Sequence, residues 1–188
     1  WNKIYSLSYL RKIGLQYENV TLIEDIVFNI KFCENIDSMN ILAFTPYHYG
    51  KRLDTSLTSK FVPDYFRLHR QRVKMLYEQF TRWNVCTKDT KGKLGAIYVR
   101  YIFSAIQRNC DKRSKYSMGM RIRWCRQLFQ DELFQGLIPY AAADSLVLKC
   151  LIVALRLKSS LMCIGLGRFI YIVKEKTPLI FAKVKQKR

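Results

Sequence analysis

Acidic side chains are scarce in this sequence. Its 188 residues contain 14 Asp and Glu against 33 Lys and Arg, which gives a formal net charge of +19. The imbalance is uneven, because residues 1–60 have a balance of +1 whereas residues 61–188 have a balance of +18. A charge this lopsided indicates a polyanionic neighbour, which is nucleic acid, an anionic membrane surface or a phosphate-bearing substrate. Charge alone does not choose among the three.

Several short motifs are also missing. None of the six cysteines belongs to a C-x-x-C pair or lies near a histidine at metal-ligand spacing, so we assign no metal ligand. Reduced cysteines in a cytoplasmic compartment are expected rather than a disulfide framework. No signal peptide is visible at the start. The sequence opens on Trp1 inside a patterned apolar segment, which favours a beginning partway through a longer protein.

Long uninterrupted apolar runs are absent as well. Hydrophobic residues make up 49% of the chain, so it can bury a core. The most apolar segments, 142–157 and 160–174, are interrupted by Lys149, Arg156 and Arg168 before they reach the ~20 residues of a membrane-spanning helix. Apolar segments edged by basic residues are typical of helices that lie in a membrane interface. The alternative is a helical packing module whose charge is a solvated face.

The apolar spacing divides the chain near residue 60. Helices are predicted at 3–13, 24 to about 35, about 63–83, 92–109 and 117–130. Residues 39–49 are short, apolar and aromatic, and they are expected to be extended. We therefore predict an α/β remnant over 1–60 and a basic helical region over 61–188, predominantly helical overall. His69 is expected to be solvated on a basic helix face.

Three pieces of the first 60 residues occur together. Trp1-Asn2-Lys3-Ile4-Tyr5 comes first, and Gly14-Leu15-Gln16-Tyr17 leads into Glu24-Asp25-Ile26-Val27-Phe28. Tyr47-His48-Tyr49 follows, with Arg52 and Ser56 after it. This order and spacing resembles the second, acceptor-side half of the catalytic domain in family 2 glycosyltransferases of the GT-A fold. The resemblance covers roughly residues 1–60, and the basic remainder matches only in general style.

The resemblance implies an inverting transfer of a hexose-type sugar from a nucleotide-sugar donor to a glycan or lipid-linked acceptor in polysaccharide biosynthesis. It implies Asp25 as the general base, with Trp1, Asn2, Lys3 and Glu24 around the acceptor. His48 and Arg52 are expected to face the donor's diphosphate. Adjacent residues of a helix point in different directions, so Glu24 is not expected to duplicate Asp25.

The family also implies a divalent cation, magnesium or manganese, held by an Asp-x-Asp motif in the nucleotide-binding half. No Asp-x-Asp occurs in this sequence, and Gly165-x-Gly167 lacks the third glycine of a phosphate loop. The ligands of the cation are therefore expected outside this chain, and these residues alone are expected to be inactive. A lipid-linked acceptor would place the enzyme on the inner face of the cell membrane, as a peripheral protein in the cytoplasm.

Two other classes of protein remain open. A non-catalytic scaffold of a glycan-assembly complex would keep the motifs of a transferase without a donor site. A basic nucleic-acid-binding protein would explain the charge and the aromatic residues interleaved with arginines between Tyr98 and Arg126. No helix-turn-helix, zinc-ligand or RNA-binding signature supports the second class, and it leaves residues 1–60 unexplained.

Overall fold

A computed structural model of the protein describes residues 3–19, 23–36, 38–43 and 65–176. Helix accounts for 76% of these residues, which confirms the prediction of a predominantly helical chain. The predicted α/β remnant over 1–60 is not supported, because no strand occurs among the described residues. Residues 39–43 have the apolar composition of a strand, but a strand needs a paired neighbour to satisfy its backbone groups.

The chain divides into two compact units, Trp1–Val62 and Pro63–Arg188, called here the N-terminal unit and the C-terminal unit. The N-terminal unit contains α1 (Leu7–Ile13) and α2 (Glu24–Phe32), and a 3-10 turn at Cys33–Asn35 continues α2. The side chain of Ser6 accepts a hydrogen bond from the Tyr9 amide and caps the start of α1. Gly14 ends α1 in the left-handed conformation with φ 61°, as its position in the sequence predicts.

The C-terminal unit is a bundle of helices joined by short turns. Its elements are α3 (Tyr65–Arg82), α4 (Lys88–Cys110), a 3-10 turn (Lys112–Ser114), α5 (Met118–Gln130), α6 (Glu132–Leu137), a 3-10 turn (Ile138–Tyr140), α7 (Leu146–Arg156) and α8 (Ser160–Lys176). The predicted helices over 63–83, 92–109 and 117–130 correspond to α3, α4 and α5. The sequence does not indicate α6, which is only six residues long. Thr87, Ser117, Asp131 and Ser145 cap the starts of α4, α5, α6 and α7 with their side-chain oxygens.

Helix α4 lies at the centre of this bundle. It contacts α3, α6, α7 and α8, and its residues Tyr98, Val99 and Ile102 are completely buried. Helix α3 packs Val73 and Leu76 against this core, and α7 contributes Leu151 and Leu155. Trp83, the last residue of the helix predicted from sequence, lies beyond the end of α3 at Arg82 and is exposed, because the chain has already turned there.

Two glycines allow helices to approach α4 closely. A Cβ atom at Gly167 of α8 would lie 2.2 Å from Cγ2 of Ile106, and one at Gly95 of α4 would lie 2.7 Å from the carbonyl oxygen of Leu137. Real Cβ atoms do not come this close to other atoms, so the packing at both places depends on glycine. Gly165, two residues before Gly167, has open space around it. The two glycines of α8 thus lie on different faces of one helix.

All six cysteines are free. Cys110, Cys125 and Cys163 lie in the core of the C-terminal unit and behave as small apolar residues. Burial raises the pKa of the Cys125 thiol to about 11 and that of the Cys163 thiol to about 12, so both stay protonated at neutral pH. Cys150 of α7 is exposed.

Candidate functional site and basic surface

A cluster of aromatic rings holds α2 in the N-terminal unit. Tyr5 packs edge-on against Phe28 and Phe32, with ring centroids 5.4 and 4.9 Å apart. Tyr9 packs edge-on against Phe32 at 5.3 Å, and Tyr17 stacks on Phe28 at 4.2 Å. These geometries are the favourable ones for aromatic pairs. The segments on both sides of α1 therefore fix one face of α2.

The first turn of α2 carries the two carboxylates that the sequence singles out. Ile23, directly before the helix, is completely buried, and Val27 and Ile30 are buried one and two turns on. Asp25 lies on a different side of the helix, and its side chain is exposed. The positive end of the helix dipole lies beside both carboxylates. The helix thus keeps its apolar face in the unit and leaves Asp25 accessible to a solute.

Glu24 has different surroundings from its neighbour. Its side chain is half-buried, and its Oε2 atom is buried without a hydrogen-bond partner. Successive residues of a helix are turned by about 100°, which accounts for the difference. The carboxylate of Asp25 and that of Glu24 are therefore not equivalent groups.

Asn29 connects the aromatic cluster to the start of α2, and the sequence reasoning does not identify it. Its Oδ1 atom accepts a hydrogen bond of 2.8 Å from the Tyr5 hydroxyl. Its Nδ2 atom donates to the backbone carbonyl of Asp25, one turn earlier. The i to i+4 spacing of Asp25 and Asn29 is a signal in the sequence, but only the fold brings Tyr5 to the same place.

The other predicted site residues either lie away from Asp25 or fall outside the described residues. Lys3 is exposed, and its charge acts on Cys33, at the opposite end of α2 from Asp25. Trp1, Asn2, His48 and Arg52 lie outside the described residues. The structure therefore brings Tyr5 and Asn29 to Asp25, and it places Lys3 nearer the far end of the helix.

The described residues do not fit a divalent cation. No group of three or more His, Cys, Asp and Glu side chains among them can hold a metal ion. Glu24 and Asp25 are two carboxylates in different surroundings, and a Mg²⁺ or Mn²⁺ site asks for oxygen ligands that converge.

His69 of α3 is half-buried between two tyrosine rings, whereas the sequence predicts a solvated side chain. Its ring stacks on Tyr101 of α4 at 4.1 Å and meets Tyr65 edge-on at 4.2 Å. Burial, together with the charges of Arg72 and Arg108, lowers the pKa of His69 to about 4. The expectation was wrong because α4 covers the face of α3 that carries this histidine.

Both arginines beside His69 take part in the same packing. Arg72 donates a hydrogen bond of 2.6 Å from Nη1 to the Tyr101 hydroxyl. The Arg108 guanidinium lies 4.1 Å from the centre of the Tyr65 ring. The packing thus joins two helices, with Tyr65, His69 and Arg72 on α3 and Tyr101 and Arg108 on α4. These aromatic and cationic side chains therefore contact one another within the C-terminal unit.

The outward faces of α7 and α8 are apolar. Leu146, Val153 and Leu157 follow one another along α7, and Leu161, Met162, Phe169 and Ile172 follow along α8, all exposed. No helix among the described residues combines the length and the apolar content that crossing a membrane requires.

Comparison with known proteins finds no family model, no curated protein and no solved structure that matches this chain.

Proposed function

We propose that this chain is the acceptor-side part of a family 2 glycosyltransferase, with Asp25 as the general base. The observation that carries the proposal is the exposed carboxylate of Asp25 on the first turn of a helix whose opposite face is buried. Three motifs in the order that the family uses surround this residue in the sequence. The motif order distinguishes this carboxylate from an acidic first turn that serves only the helix dipole.

The proposed reaction is a single displacement with inversion. The acceptor hydroxyl attacks the anomeric carbon of the sugar from the side opposite the nucleoside diphosphate. Asp25 takes the hydroxyl proton as the new carbon–oxygen bond forms. The old bond breaks towards the diphosphate, whose oxygen keeps the electron pair. The product is a glycan or lipid-linked saccharide longer by one hexose-type unit.

Asn29 and Tyr5 act as positioning residues in this scheme. The hydrogen bonds from Tyr5 to Asn29 and from Asn29 to the Asp25 carbonyl fix the first turn of α2. A base held in one direction needs little reorganisation in the transition state. Trp1, Asn2 and Glu24 are proposed around the acceptor, and Lys3, which lies towards the other end of α2, is proposed to contact a part of the acceptor further from Asp25. His48 and Arg52 are proposed towards the diphosphate.

The donor side is proposed to come from residues outside these 188, because the sequence holds no Asp-x-Asp and no phosphate loop. Magnesium or manganese bound there would neutralise charge on the leaving diphosphate. The residues of this chain are proposed to bind the acceptor and to supply the general base.

We further propose peripheral attachment to the inner, anionic face of the cell membrane, where lipid-linked acceptors reside. Residues 61–188 carry a balance of +18, and each Lys or Arg near such a surface adds about 1 kcal/mol of attraction. The rival partner, nucleic acid, requires rings that are open for base stacking. Tyr98 is completely buried and Tyr101 is covered by His69, so the described geometry favours the membrane.

The test is sugar transfer by the natural protein that carries this chain, with a water-soluble acceptor. Replacing Asp25→Asn is expected to lower kcat by about 10²–10⁴-fold with the substrate affinities preserved. Glu34→Gln is the matched control, since Glu34 follows α2 about 14 Å further along the helix axis. It is expected to keep the wild-type rate.

Transfer by Asp25→Asn at an undiminished rate would refute the assigned base. Normal folding of both variants, checked by circular dichroism, separates a lost base from a lost structure. The scaffold alternative predicts that neither protein transfers sugar at all.

A further inference from the structure

Helices α7 and α8 each bury one face and expose an apolar one. In α7, Leu148, Leu151 and Leu155 are buried, whereas Leu146 is 76% exposed and Leu157, directly after the helix, is 65% exposed. In α8, Cys163, Ile164 and Gly167 are buried, whereas Leu161 and Phe169 are 64% and 62% exposed. Leu146, Val153 and Leu157 are seven and four positions apart, and Met162, Phe169 and Ile172 are seven and three positions apart, so each set lies along one side of its helix. Leu161 lies on the same side as Ile172, three turns away. Each helix is thus apolar on both sides.

A tight turn brings the exposed residues of the two helices together at one end. The Leu157 amide caps α7, and Lys158 takes the left-handed conformation with φ 50°. Helix α8 begins two residues later at Ser160. Leu157 and Leu161 therefore flank the turn, with the basic side chain of Lys158 between them. The tip of this hairpin is apolar and cationic.

Negative charge is scarce in the hairpin, where Glu175 in the last turn of α8 is the single acidic residue of the two helices. Residues 145–174 contain five Lys and Arg and no Asp or Glu. Lys149, Lys158 and Arg168 are exposed among the apolar residues. Arg156 is engaged within the unit, since its guanidinium donates to the backbone carbonyls of Pro139 and Ala141. Three exposed cations and an apolar stripe thus share the same surface.

Exposed apolar stripes are not a general property of this unit. The outward side of α3 carries Arg67, Gln71, Lys74 and Glu78, and Lys74 pairs with Glu78. That is the mixed, polar surface expected of a helix facing water. Contiguous apolar surface on a folded protein commonly marks a contact with a partner or a membrane.

We propose that the α7–α8 hairpin inserts into the headgroup region of an anionic membrane. Leu157 and Leu161, at the turn between the two helices, insert most deeply. Apolar side chains that enter the acyl boundary, with cations held at the phosphates, stabilise such binding together. A second copy of this chain fits less well, because its hairpin would bring the same cations against Lys149, Lys158 and Arg168. The inference rests on the membrane attachment proposed above and is independent of Asp25.

The apolar part is tested by binding of the purified protein to phosphatidylcholine vesicles with and without phosphatidylglycerol. The double variant Leu157→Gln/Leu161→Gln is expected to bind the anionic vesicles at least about tenfold more weakly than wild type. The matched control is Met118→Gln/Met120→Gln, which removes two exposed apolar residues from α5 of the same unit. It is expected to bind like wild type.

The electrostatic part uses two triple variants with the same loss of charge. Lys149→Gln/Lys158→Gln/Arg168→Gln is expected to weaken binding by roughly a hundredfold at low salt and by much less at high salt. The control Lys88→Gln/Arg123→Gln/Arg126→Gln removes three exposed cations from α4 and α5. A much smaller loss in this control supports the hairpin as the binding surface.

Equal losses in the hairpin variants and their controls would overturn the proposal. So would self-association that the leucine variant abolishes while vesicle binding is absent, which would identify a second copy as the occupant. Preferred binding of duplex DNA over anionic vesicles would also overturn it. Sugar transfer to a water-soluble acceptor does not need the hairpin, so failure here leaves the assignment of Asp25 to its own test.

Discussion

The N-terminal and C-terminal units expose different chemistry. The first is nearly neutral, with a balance of +1, and presents a carboxylate at the start of a helix held by aromatic rings. The second carries a balance of +18, buries a continuous apolar core and exposes a hairpin with an apolar stripe and several cations. The difference indicates a division of labour, in which proton transfer belongs to the first unit and attachment to the second. The following variants test this difference between the two units.

The largest effect on stability is expected in the aromatic cluster of the N-terminal unit. Phe28 is buried and contacts the rings of Tyr5 and Tyr17, so Phe28→Ala removes the centre of the cluster. The expected cost is about 3–5 kcal/mol of unfolding free energy. Hydrogen exchange of the α2 amides measures it. Ile41→Ala, at a residue 88% exposed, is the control and is expected to change little. Equal exchange in both variants would show that the rings do not hold α2.

The two faces of α8 are expected to respond in opposite directions to the same substitution. Gly167→Ala places a Cβ atom against Ile106 of α4 and is expected to destabilise the C-terminal unit by about 2 kcal/mol. Gly165→Ala meets open space, and the better helix propensity of alanine is expected to stabilise by up to about 1 kcal/mol. Denaturant unfolding of both variants measures the difference. Effects of the same sign and size would contradict the assignment of a buried and an exposed face.

The smallest effect concerns the pH dependence of stability. The unfolded chain protonates His69 near its ordinary pKa of 6.5, whereas the folded protein keeps the ring neutral down to about pH 4. Stability therefore falls as the pH drops through this window. Because the ring is only half-buried, solvent screening reduces the expected loss to about 1 kcal/mol.

His69→Phe keeps a ring between Tyr65 and Tyr101 and removes the titration. Its stability between pH 6.5 and pH 4 is expected to fall less steeply than that of the wild type, as chemical denaturation at several pH values measures. An unchanged slope would mean that another group is responsible.

Much of the helical order can be predicted from the sequence, because α3, α4 and α5 have clear apolar periodicity and α4 and α5 also have polar caps at their starts. Side-chain burial and strand pairing depend on which elements lie next to a segment in the fold, and the sequence does not predict these neighbours. His69 has the sequence context of a solvated residue, and only the position of α4 shows that it is covered. The apolar segment 39–43 has the composition of a strand, but composition does not supply the partner strand that its backbone would need. At the candidate site the sequence indicates the carboxylates, whereas the role of Asn29 depends on where Tyr5 comes to lie.

The separation of chemistry and attachment is tested most directly by two assays on two variants. Sugar transfer to a water-soluble acceptor and binding to anionic vesicles are measured for Asp25→Asn and for Leu157→Gln/Leu161→Gln. We expect Asp25→Asn to lose transfer and keep vesicle binding, and the leucine variant to keep transfer and lose binding. Loss of both properties in either folded variant, or transfer that survives in Asp25→Asn, would contradict this account.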